Sequence, residues 1–110
     1  MKTPSKDELI QLKISRARQT LSEVEVMIEK KFWNAAINRL YYACFYGVSA
    51  ILLSQDIKVQ THAGVRKMFG LYFVQTGLIS RELGKFYADL FDKRQTGDYV
   101  MILLLLIWLP

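Results

Sequence analysis

The chain has 110 residues, a length that holds one domain and a single core. Its hydrophobic content of 52% and aromatic content of 13% exclude a disordered or fibrous chain. The formal charge of +5 points toward a polyanionic partner, though many soluble proteins are mildly basic; the lone Cys44 excludes an intramolecular disulfide and fits a reducing cytoplasm.

The chain opens MKTPSKDEL, with no apolar stretch of the kind a secretory leader needs, so none is expected. Ser5 followed by Glu8 reads as a capping box. Ile10, Ile14, Ala17, Leu21, Val24 and Ile28 then recur at steps of four and three, the stripe of one helix running to about Lys30. Lys13, Arg16, Gln19, Glu23 and Glu29 form its solvated side. Lys30 to Asn34 predict a short corner.

Residues 35–53, AAINRLYYACFYGVSAILL, organise the rest. A helix over them is about 28 Å long. Apolar residues fall on every side, the mark of a central helix surrounded by others. A membrane span is the competing reading. Arg39 and the tyrosines sit inside the segment and amphipathic helices flank it, so a soluble core helix is expected and no membrane. Small residues at Ala36, Ala43, Gly47 and Ala50 let neighbouring helices come close.

Residues 57–60 predict a short connection, and Thr61 an N-cap. Val65, Met68, Phe69, Tyr72 and Phe73 predict the buried face of a third helix, with Arg66 and Lys67 toward water, and Gly77 its stop. Ser80 caps a fourth helix with Leu83, Phe86, Tyr87, Leu90 and Phe91 inward, and Arg94 on the same side. Residues 100–110 depart from this pattern. They read VMILLLLIWLP, too short to span a bilayer and without the polar side of a surface helix. This tail is either buried in the core or a partner, or the product of a frameshift or truncation.

No strand alternation and no internal repeat occur. The expected fold is all-α, an up-and-down helical bundle of four to five helices over residues 1–99, with residues 100–110 as an atypical apolar tail.

No glycine-rich phosphate loop or serine elbow is present, and a single histidine and single cysteine argue against a zinc site. Three polar clusters remain. Arg39, Tyr42, Tyr46 and Ser49 lie along one line of the central helix, either as a polar seam facing a cleft or second subunit, or as core-helix residues reaching the rim. His62, at a helix start, is the only ordinary group that titrates near neutrality; the plainer reading is a surface or capping histidine. Arg94, Asp98 and Tyr99 form a compact polar cluster at a helix junction. Arginine grips phosphate with a fixed fork of donors, and Asp98 either holds that fork or merely closes the corner.

The blocks NRLYYACFYGVSAIL, THAGVRKMFGLYFVQTGLI and ELGKFYADLFDKRQTGDY, in that order, resemble the HEPN superfamily, in particular the small prokaryotic branch associated with minimal nucleotidyltransferases. The resemblance implies a helical bundle, a homodimer, a nucleotidyltransferase-type partner protein, and RNA or nucleotide as ligand, without metal or cofactor. Many members are metal-independent endoribonucleases or toxins; others bind nucleotides or act as non-catalytic partners. The family's arginine matches Arg94, but Asp98 and Tyr99 follow where its catalytic histidine is expected.

That substitution matters chemically. Metal-free RNA cleavage needs a base for the 2′-hydroxyl and an acid for the leaving oxygen. An aspartate ordinarily titrates at about 3.9, and a nearby guanidinium lowers it; tyrosine, at about 10, is a poor base. Asp98 then serves as a weak base or an arginine holder, and His62 fills the gap only if the fold brings it within reach. The favoured expectation is an RNA- or nucleotide-binding partner of a minimal nucleotidyltransferase in a toxin–antitoxin-like pair, with Arg94, Arg39 and Tyr42 contacting ligand. The alternatives are an endoribonuclease toxin using Arg94, Asp98, Tyr99 and possibly His62, and a non-catalytic oligomerisation module.

Overall fold

The structure, a computed structural model, describes the backbone of residues 3–96 and side chains through Asp92. It contains four α-helices: α1 (Lys6–Glu29), α2 (Trp33–Ser54), α3 (His62–Phe69) and α4 (Arg81–Thr96). A π-helical segment, Gly70–Val74, continues α3. No strand occurs among the described residues, and the fold is all-α. The apolar tail at 100–110 lies outside the described residues.

Each helix start follows from its cap. Ser5 Oγ accepts from Glu8 N–H at 3.1 Å, Thr61 Oγ1 from Gly64 N–H at 2.9 Å and Ser80 Oγ from Leu83 N–H at 3.2 Å. Such caps satisfy amide donors that the first helical turn leaves unpaired. α2 has no side-chain cap. It starts at Trp33, inside the expected corner, after a tight turn in which Lys31 adopts φ 61°.

α1 and α2 form an antiparallel hairpin across that corner. Lys6 Nζ at the start of α1 meets Asp56 Oδ1 just past the end of α2, 2.9 Å apart. The inner line of α1 differs slightly from the sequence stripe. Thr20 and Val24 are buried, while Leu21 and Ile28 are exposed. Thr20 is tolerated inside because its hydroxyl donates to Arg16 O at 2.7 Å.

α2 is long and apolar enough to cross a membrane by length and composition. Here it is the core helix: α1, α3 and α4 all pack on it, and Ala36, Ile37, Tyr41 and Leu52 have at most 2% of their surface exposed. Val65, Phe69, Phe73, Tyr87 and Leu90 complete the core from α3, the π segment and α4.

Two further residues expected in the core are exposed. Tyr72 has 47% of its surface accessible and Leu83 53%. The cause at Tyr72 is the π turn, where Gln75 N–H donates to Gly70 O at 2.9 Å. Its wider turn carries Tyr72 off the stripe while Phe73 stays on it. In α4 the contact with the π segment is made at Gly84, and Leu83, one residue earlier, takes the outer side. Gly77, with φ 82°, ends the third helical stretch as its sequence position implies.

Gly84 sits so close to the π segment that a Cβ there meets the Val74 methyls at 2.7 and 2.9 Å. Gly84→Ala is expected to cost about 1–3 kcal/mol by overpacking, read as a lower melting temperature. Combining it with Val74→Ala should recover part of that loss; full additivity would show that the two sites do not touch.

Cys44, half-buried in α2, gives a second test. Burial pushes its thiol from 9.0 to about 11. Since the thiolate is the reactive form, labelling of the folded protein at pH 8 should be about a hundredfold slower than in denaturant. The native rate should climb about tenfold per pH unit until pH reaches about 11. Equal rates in both states would show that the sulfur is not enclosed.

Candidate functional site

The central feature is a cluster of rings around His62. Tyr41 lies at the middle of α2 with none of its surface exposed, because the helix is covered on that side by α3 and α4. Its hydroxyl and His62 Nδ1 lie 2.7 Å apart and share a hydrogen bond. A buried phenol needs such a partner, and His62 at the N-terminus of α3 supplies it. The imidazole stacks on Phe45 with centroids 4.3 Å apart and meets Tyr42 edge-on at 5.8 Å. From α4, Tyr87 lies parallel to Tyr41 at 6.0 Å and Phe91 meets it edge-on at 6.0 Å.

Two glycines shape the approach of α3. Thr61 and Val59 crowd Gly64, where a Cβ would fall 2.7 Å from Thr61 Oγ1 and 2.5 Å from Val59 Cγ1. Glycine therefore lets the connection fold back over the first turn of α3, which fixes where the following ring chemistry sits. Gly70 opens the π turn at the other end of α3.

His62 remains half-buried, so its ring is both held and reachable. The bond through Nδ1 fixes the plane of the imidazole.

Arg39 does not stand alone. Its Nε and one terminal nitrogen reach Glu23 Oε2 of α1, at 3.1 and 2.5 Å. Both side chains are about one-third exposed, so a bound anion competes with Glu23 for this guanidinium. Tyr42, Tyr46 and Ser49 are half-buried along the same line of α2, and Tyr42 and Tyr46 rings lie 6.4 Å apart. The structure thus brings His62 and Tyr42 together and ties Arg39 to α1.

Arg94 lies in the last turn of α4, three residues after Phe91 and four after Leu90. Its side chain, and Asp98 and Tyr99 altogether, lie outside the described residues. Among the described residues, no three histidine, cysteine, aspartate or glutamate side chains converge to hold a metal.

Two residues gain importance that their sequence positions do not announce. Tyr41 is one of a pair of adjacent tyrosines, and only the packing of α3 selects it as the partner of a histidine 21 positions away. Arg66, expected to face water, donates to Asp92 Oδ1 at 2.9 Å and lies 4.9 Å above the Phe91 ring. A helical stripe cannot reveal such cross-helix pairs, because it says which face is inward and not what that face meets.

Comparison with known proteins gives this geometry its family context. The HEPN domain model matches residues 10–102. A UPF0332 protein of Thermotoga maritima is 42% identical over 94 residues, covering 86% of this chain and 71% of that protein. Two proteins of Methanocaldococcus jannaschii, each named "Putative toxin", are 39% and 36% identical, over 84% and 78% of this chain. The chain spans 69% of the first of these and 58% of the second. No solved structure matches the chain. With the family model matching most of its length and relatives of this identity, the chain, whose described helices pack around Tyr41 and His62, belongs to the HEPN domain family.

Proposed function

We propose that this protein binds RNA or a nucleotide as the HEPN half of a toxin–antitoxin-like pair, partnered by a nucleotidyltransferase. Arg94 is the phosphate-gripping residue in this reading, with His62 and Tyr42 beside the bound strand. The observation that carries it is the placement of His62. A half-buried, oriented imidazole sits in a ring cluster to which α4 contributes Tyr87 and Phe91, two turns and one turn before Arg94. The names of the relatives support the toxin-like setting, and the net charge of +5 supports a polyanionic ligand. The protein works in this reading as a cytoplasmic homodimer. Exposed Leu21, Ile28, Phe32 and Trp33 around the α1–α2 corner give it apolar surface for association.

A second reading, a metal-independent endoribonuclease, is favoured by the same imidazole. Held through Nδ1 by Tyr41, His62 supplies an imidazole, the usual acid–base side chain, which Asp98 and Tyr99 do not.

Binding of a labelled single-stranded RNA, measured in EDTA, separates these readings. Arg94→Ala should weaken binding by about tenfold or more, as expected for loss of a charge-assisted phosphate contact. His62→Ala and Tyr41→Phe should leave binding within a few-fold. If the protein is a nuclease, those two substitutions instead lower the cleavage rate, and 2′,3′-cyclic phosphate ends appear with wild type. Unchanged RNA affinity in Arg94→Ala removes the binding role from that residue.

A further inference from the structure

A groove of about 420 Å³ opens between α3, the π turn and α4, with Phe91 shared between it and the ring cluster. Arg66, Lys67, Gly70, Gln75 and Phe91 line it. Its charged lining is cationic, Arg66 and Lys67 from the last turn of α3, beside the Gln75 amide, the Phe91 ring and the apolar Ala63 and Leu71, with Asp92 holding Arg66.

Arg66 is oriented before any ligand arrives. Asp92 accepts from both of its terminal nitrogens, at 2.9 and 3.4 Å, and the guanidinium carbon lies over the Phe91 ring, 4.9 Å from its centre. A guanidinium has five N–H donors, and Asp92 takes one from each terminal nitrogen. The remaining donors meet no acceptor among the described residues. Arg66 and Asp92 are exposed by 38% and 52%, so this pair adds little stability and its main effect is orientation. Lys67, beside it, is exposed and has no carboxylate partner among the described residues. At Gly70 a Cβ would point into open space, so the backbone itself borders the groove. The π turn that begins there belongs to a class of helix distortion that recurs at functional positions.

We infer that this groove is a nucleotide subsite for single-stranded RNA: Arg66 and Lys67 take a backbone phosphate, and the space bounded by Gln75 and Gly70 accepts the attached nucleoside. The volume lies in the range of small-molecule sites and matches one nucleotide unit. The inference rests on the RNA-binding reading above and deepens it. Phe91 on the groove wall and Asp92 beside it lead directly, along α4, into Lys93 and Arg94. A strand seated in the groove therefore runs toward the last turn of α4.

The test is binding of a fluorescein-labelled oligouridine 12-mer to the whole chain across a salt series. Lys67→Ala and Arg66→Gln should each weaken binding by about fourfold near 0.15 M salt and lower the slope of log affinity against log salt by about 0.7, the value for one lost phosphate contact on a single strand. Lys30→Ala, which removes an equal charge at the α1–α2 corner, should leave both quantities unchanged. Lys67 is exposed and makes no ion pair among the described residues, so its variant keeps the fold, checked by far-UV circular dichroism. If wild type binds the oligonucleotide and Arg94→Ala weakens it, but both groove variants match wild type in affinity and slope, the groove is not a subsite while the Arg94 reading stands. If wild type binds no RNA at all, both fail. An equal loss in Lys30→Ala would reduce the effect to net charge and overturn the inference as well.

Discussion

The buried ring of Tyr41 is the contact on which the remainder of the molecule depends. It lies at the centre of α2, which among the described helices is touched by all the others, and it meets His62 of α3 and Tyr87 and Phe91 of α4. Aromatic pairs of this kind add roughly 0.5–1.5 kcal/mol each beyond the area they bury. A phenol enclosed without a partner costs several times more than its hydrogen bond returns in water, so the hydroxyl must be met. His62 meets it at 2.7 Å. The same bond therefore serves stability and site geometry together: closing the core orients the imidazole.

Much of the frame is legible in the sequence because it is local. Ser5, Thr61 and Ser80 each cap the helix that follows, and each needs only a hydroxyl three residues before an amide. The apolar run of α2 announces a central helix, and Gly77 ends the stretch before α4. The misplacements occur where geometry depends on a neighbouring element. Tyr72 leaves the stripe because a π turn replaces an α turn, and nothing in GLYFV marks that change. The inner line of α1 admits Thr20 in place of Leu21 because one hydroxyl finds a carbonyl a turn earlier.

The candidate site divides the same way. That His62 opens a helix and Arg94 ends one follows from spacing, and the structure places both backbones there. The partners of His62, Arg39 and Arg66 are 21, 16 and 26 positions away along the chain. Periodicity says which residues share a face. It does not say that Glu23 will face Arg39 or that Asp92 will hold Arg66. These ion pairs are partly exposed and contribute little net stability, but each converts a flexible side chain into one with a fixed direction.

The tight corner at residues 30–32 has a consequence for assembly order. Joining α1 to α2 closes a very short loop, so little chain entropy opposes that hairpin. The His62 bond spans a longer loop and also needs α3 nucleated, and helices as short as His62–Phe69 are marginal alone. Ring-cluster closure is therefore the late event. A ribosome-bound chain with only its first two helices emerged has its hydrophobic spine but no oriented imidazole; that ring gains its fixed direction only after α3 has been made and has docked.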